Sequence, residues 1–148
     1  MSEAETAPQR EAAGGVNAFV GTWRLRPEAS RYEHGQPPRE AVYRIEREGE
    51  WLLFAARWTG ADGRRLEMSF AGVADGEPHP YDDPEVADTL TVRLADARTL
   101  DTIAAKDGRE VAFGRRVLSE DGRVLTVTQS GTRPDGSPFV NVSVYDRA

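Results

Sequence analysis

From residue 19 onward, hydrophobic and polar positions alternate with a period of two, in short runs broken by turn residues. Phe19, Gly21, Trp23 and Leu25 alternate with Val20, Thr22, Arg24 and Arg26, which is the period of a strand, and Pro27 ends the run. Residues 27–38 carry further prolines and no amphipathic helical pattern, so they read as a crossing loop. Strands are then expected over 41–47, 51–59, 65–73, 89–95, 99–106, 110–119, 123–132 and 139–146. Asp62-Gly63, Asp75-Gly76, Asp107-Gly108, Asp121-Gly122 and Asp135-Gly136 fall between them, and Asp-Gly suits the positive φ angles of tight hairpins. Strands at this spacing with no helical period make a β-meander. A meander this long must close or leave raw edges. The expected fold is an all-β, up-and-down antiparallel barrel of nine or ten strands over residues 17–148. The polar, Ala/Glu-rich residues 1–16 read as a disordered tail.

Composition narrows the function classes. At 148 residues, one domain with a single core is expected. A net charge of −6 argues against a nucleic-acid partner, which would need a basic face. No apolar run reaches the roughly 20 residues of a membrane helix, so no integral membrane association is expected. Without cysteine there is no thiol or disulfide chemistry, which fits a cytoplasmic protein. His34 and His79 with scattered carboxylates show no metal spacing, and no Gly-rich loop precedes a helix, so neither metal nor cofactor is expected. Oligomeric state leaves no signal.

Residues 18–25, Ala-Phe-Val-Gly-Thr-Trp-Arg-Leu, closely resemble the first strand of intracellular fatty-acid-binding proteins, and residues 144–148, Val-Tyr-Asp-Arg-Ala, resemble their last. Gly-x-Trp with a basic residue near the barrel's end is a wider mark of the calycins, lipocalins included. The chain as a whole is similar to small bacterial lipocalin-like proteins. The resemblance implies that Trp23 plugs a closed end under Arg147, and that the first and last strands pair. It also implies an interior anchor for an acidic head group, built from a late-strand Arg and a last-strand Arg-x-Tyr. Counting from Asp107-Gly108 puts the first at Arg115. Tyr145 supplies the last-strand Tyr, while Ser143 replaces the second Arg. The two portal helices of that family have no counterpart in 27–38.

Two-residue turns at Asp121-Gly122 and Asp135-Gly136 would place Arg115 opposite Thr128, Thr128 opposite Ser143 and Thr126 opposite Tyr145. One face then carries Phe113, Arg115, Thr126, Thr128, Ser130, Asn141, Ser143 and Tyr145; the other carries Leu118, Leu125, Val127, Val142 and Val144. Plain burial would turn the valine face inward. The resemblance favours the polar face, lining a cavity around Arg115. The expected ligand site is therefore Arg115, Tyr145, Phe113, Thr128, Asn141 and Ser143, with Tyr43, Phe54, Trp58, Met68 and Phe70 as its apolar wall. The partner implied is a small hydrophobic or amphipathic molecule with a polar or acidic head, carried or sensed inside the barrel. Two alternatives stay open at this point. One is a small-barrel enzyme using His79 or Tyr145 for acid–base chemistry, the other a filled barrel acting as an interaction module.

Overall fold

The computed structural model describes residues 15–148. Its strands are β1 (Gly21–Leu25), β2 (Arg31–Tyr32), β3 (Glu40–Glu48), β4 (Trp51–Thr59), β5 (Arg65–Val73) and β6 (Pro78–Pro80). They continue as β7 (Thr89–Asp96), β8 (Thr99–Lys106), β9 (Arg109–Leu118), β10 (Val124–Thr132) and β11 (Pro138–Arg147). Ten of them form one antiparallel sheet in the order β5-β4-β3-β1-β11-β10-β9-β8-β7-β6, and β2 pairs with β11 off that path. First and last strands pair as expected, with Trp23 opposite Arg147 and Leu25 opposite Tyr145. The sheet curls into a nearly closed barrel whose seam lies between β5 and β7. There the Gly76 N–H donates to the Val92 carbonyl at 2.9 Å, in place of a full ladder.

The alternation of the strands fills only one end of this barrel. Phe19, Trp23, Ile45, Leu52, Leu100 and Leu125 are almost completely buried there, each contributing about 1.5–3 kcal/mol relative to exposure. The Trp23 indole N–H donates to the Phe19 carbonyl at 3.0 Å. The Arg147 guanidinium lies 4.2 Å from the indole centroid and donates to the carbonyls of Ala18, Val20 and Gly122. The closed end is plugged and lidded as the resemblance implies. Residues 15 and 16, expected to belong to the tail, are instead part of a helical turn over 15–17, and Val16 packs against the core. The rest of the expected tail, 1–14, lies outside the described residues.

Two local irregularities set the faces of the late strands. Between β8 and β9, Ala105 pairs with Glu110 but Ala104 pairs with Ala112, so Val111 is bulged out and the phase shifts by one. Between β10 and β11, Arg133 and Ser137 bracket a three-residue turn, Pro134-Asp135-Gly136, with the Gly136 N–H donating to Arg133 O at 2.9 Å. Gly136 has φ +91°. Proline at the second position of a type I turn, then glycine in the left-handed region, is the three-residue hairpin rather than the two-residue one. Arg115 does pair with Thr128. Thr128, however, pairs with Val142, Val127 with Ser143, and Leu125 with Tyr145. The expected register of the last hairpin is therefore wrong by one residue. Arg115, Thr126 and Thr128 face outward, whereas Arg116, Leu118, Leu125, Val127, Ser143 and Tyr145 face inward.

No portal helices follow β1. Pro27–Ala29 form one 3-10 turn, and the strap to Pro38 is fastened along β11. Asn141 holds it by accepting from the Glu33 and His34 N–H groups and donating to His34 O.

Candidate functional site

Arg116, on β9, sits at the boundary between the filled end of the barrel and its open half. Its residue is 2% exposed. Nε donates to the Tyr43 hydroxyl at 2.8 Å and Nη1 to Thr102 Oγ1 at 3.1 Å. The guanidinium carbon lies 4.9 Å from the Phe54 ring centroid and 5.9 Å from those of Tyr43 and Phe70. Among the described residues no carboxylate pairs with it. Two neutral acceptors and three aromatic faces offset part of the cost of burying this charge. An anionic or strongly accepting group would offset more.

A hydroxyl-rich wall stands beside it. Tyr32 and Ser143 share a hydrogen bond of 2.7 Å, and the Tyr43 and Tyr145 rings approach to 5.6 Å. Burial raises the Tyr145 hydroxyl pKa above the ordinary phenol value, the neighbouring Tyr32 and Tyr43 add to this, and Ser143 and Arg116 oppose it. Tyr145 is thus a neutral phenol at physiological pH, able to donate a hydrogen bond.

Two adjoining cavities open over Arg116. The first, of about 280 Å³, is walled by Tyr32, Tyr43, Trp58, Ser143 and Tyr145. The second, of about 390 Å³, reaches toward Tyr81, Val86, Ala104 and Phe139. They share Met68, Phe70, Arg116 and Gln129. Exposed Met68, Val86 and Val111 give their rim an apolar character. A wider groove of about 840 Å³ runs along the barrel wall past Arg24, Glu40, Arg57, Arg65 and Glu67. It carries charges of both signs, open to water, as the solvated side of a sheet does.

Of the residues singled out from the sequence, Tyr43, Phe54, Trp58, Met68, Phe70, Ser143 and Tyr145 line the first cavity. Phe113 and Asn141 border the second. The Asn141 amide is committed to the strap, and Phe113 packs under the Arg115 guanidinium at 5.5 Å. Arg115 and Thr128, expected in the site, line neither cavity. Arg115 makes a bidentate ion pair with Asp101 on the outer face, at 2.8 Å through both Nε and Nη2, beside Arg93 at 2.9 Å. The reason is the Val111 bulge, which moves the inward position from 115 to 116. Tyr32, Thr102, Arg116 and Gln129 were missed. The tandem Arg115-Arg116 was the available signal, since adjacent strand residues point to opposite faces and one of the two had to face inward.

His79 pairs with exposed Asp75 at 2.8 Å, and His34 packs on Phe139 at 4.9 Å, so each histidine has its own local partner. Among the described residues no group of His and carboxylates could hold a metal, and no helix is long and apolar enough to cross a membrane.

The chain is similar to a zebrafish ileal bile acid-binding protein complexed with cholic acid, at 13% identity and TM-score 0.53, covering 88% of this chain and 99% of the other. It is similar to an apo lipid binding protein from Caenorhabditis elegans, at 12% identity and TM-score 0.58, covering 89% and 96%. A lobster apocrustacyanin matches at 12% identity and TM-score 0.45, over 98% and 66%. The likeness is one of fold: a nearly closed antiparallel β-barrel like those of the bile acid-binding and lipid binding proteins. No protein-family model matches the chain. No curated protein matches it in sequence.

Proposed function

We propose that the protein binds a small, largely apolar molecule in the open half of its barrel, with a polar or acidic head group held at Arg116. The observation that carries this reading is a buried guanidinium bordering a cavity with no carboxylate partner among the described residues. Phe54, Trp58, Met68 and Phe70 would cover the apolar body, and neutral Tyr145 would donate to the head. The bile acid and lipid binding named for the two similar structures supports this reading. A cytoplasmic carrier or sensor is the role it implies, in keeping with a cysteine-free chain.

Native mass spectrometry of protein purified gently from its own host, followed by denaturing extraction, tests the proposal. A discrete adduct that leaves on unfolding and is missing from Arg116→Met is the expected result. An adduct retained equally by Arg116→Met would refute the head-group role.

A further inference from the structure

The position of Arg116 constrains the shape of the ligand as well as its charge. Beneath it the barrel is solid: Leu52, Leu100, Leu118 and Leu125 are at most 2% exposed. No chain can pass Arg116 toward the closed end without dismantling that packing. Above it the free space divides, and Arg116 belongs to both parts. Arg116 is thus one of four side chains, with Met68, Phe70 and Gln129, at which the two cavities meet, and it lies at their common floor.

A straight apolar chain with a terminal acceptor would seat its head at Arg116 and run out through one cavity only. The other cavity, walled largely by apolar groups such as Ala104, Ala112 and Phe139, would stay hydrated. A molecule with apolar arms on both sides of its acceptor buries itself in both cavities at once. Resting on the ligand-binding reading above, we propose that the barrel selects ligands whose anionic or strongly accepting oxygen is borne at a branch point. The shorter arm lies in the cavity of about 280 Å³ and the longer in that of about 390 Å³. Gly114 helps to keep the junction open, because a Cβ there would lie 3.3 Å from Arg116 Nη1 and 2.8 Å from Thr102 Oγ1.

Two isomeric probes separate shape from charge and composition. 2-Butyloctanoate and dodecanoate have the same formula and one carboxylate each, and differ only in whether that group sits at a fork or an end. Isothermal titration of the full chain with each, below micellar concentrations, is expected to give the branched isomer at least about tenfold tighter binding. Ala56 lines only the first cavity and Ala104 only the second. Ala56→Ile and Ala104→Ile should each weaken the branched isomer about fivefold or more, while no more than one of them weakens dodecanoate. If either variant fails to fold, the comparison of isomers on the wild-type chain decides alone. Equal or tighter binding of dodecanoate, still dependent on Arg116, would overturn the branch-point inference and leave the ligand-binding reading standing. Failure of both isomers to bind would overturn both.

Discussion

Replacing Gly114 by Ala should destabilise the protein, although the same exchange in an open strand stabilises. Gly114 stands directly opposite Thr102 in the β8–β9 ladder. A Cβ at that position would lie 2.8 Å from Thr102 Oγ1, closer than any relaxed contact. Thr102 is buried and stiff at χ1, so its hydroxyl can move aside only by changing rotamer. That breaks its 3.1 Å hydrogen bond from Arg116, at a cost of about 1.5–3 kcal/mol for a bond to a charged group. If Thr102 stays instead, the overpacking costs about 1–3 kcal/mol. One cost or the other applies, and the lower backbone entropy of alanine returns about 0.5–1 kcal/mol. The expected net loss is about 1–2 kcal/mol. Thr102→Ala removes both the obstructing oxygen and the bond that would be lost, so on that background Gly114→Ala should become neutral or stabilising. Urea unfolding of the four proteins, followed by tryptophan fluorescence, measures the cycle. Gly114→Ala that stabilises the wild type, or destabilises both backgrounds equally, would refute the contact.

Other consequences lie away from the cavity. Asp101 is sealed on the outer face by two half-exposed arginines rather than by depth in the barrel. The Arg115 hydrogen bonds chiefly hold its pKa below the ordinary value, against the effect of burial, and Arg93 adds to them. A folded-state pKa below the unfolded one means stability that is present above about pH 4 and lost as pH falls through the folded value. Asp101→Asn is expected to cost about 1–2 kcal/mol at neutral pH, discounted for the exposed partners. That gap should close in acid, and a gap independent of pH in denaturant titrations would contradict the ion pairs. Arg147→Met removes the guanidinium over Trp23 and its three carbonyl bonds. It should cost about 1–2 kcal/mol and alter the near-UV dichroism of Trp23; an unchanged melting curve would count against the lid.

The barrel was legible because its information is local. Alternation gives nine of the eleven strands, β2 and β6 being too short to show it; Asp-Gly gives most turns, and the Phe19–Leu25 and Val144–Ala148 ends give the closure. The site was only half legible because facing is cumulative: each irregularity inverts everything after it. Pro134 ahead of Asp135-Gly136 turned a two-residue hairpin into a three-residue one, and so exchanged the partners of Ser143 and Tyr145. The Val111 bulge did the same between β8 and β9, moving the inward arginine from 115 to 116. Proline at that turn position was visible in the sequence. Nothing in the Ala112 neighbourhood marks the bulge. Tyr32 was out of reach for another reason, since only the fastening of the strap along β11 brings it over the cavity.

The central claim is that the inward arginine, and not its neighbour in sequence, holds the ligand head. Fluorescence titration with anilinonaphthalene sulfonate, a compact apolar probe with one anionic group, tests it on three folded proteins. The wild type and Arg115→Met should bind alike, and Arg116→Met should bind at least about tenfold more weakly. Weakened binding to Arg115→Met with unchanged binding to Arg116→Met would place the anion on the outer face and contradict the account.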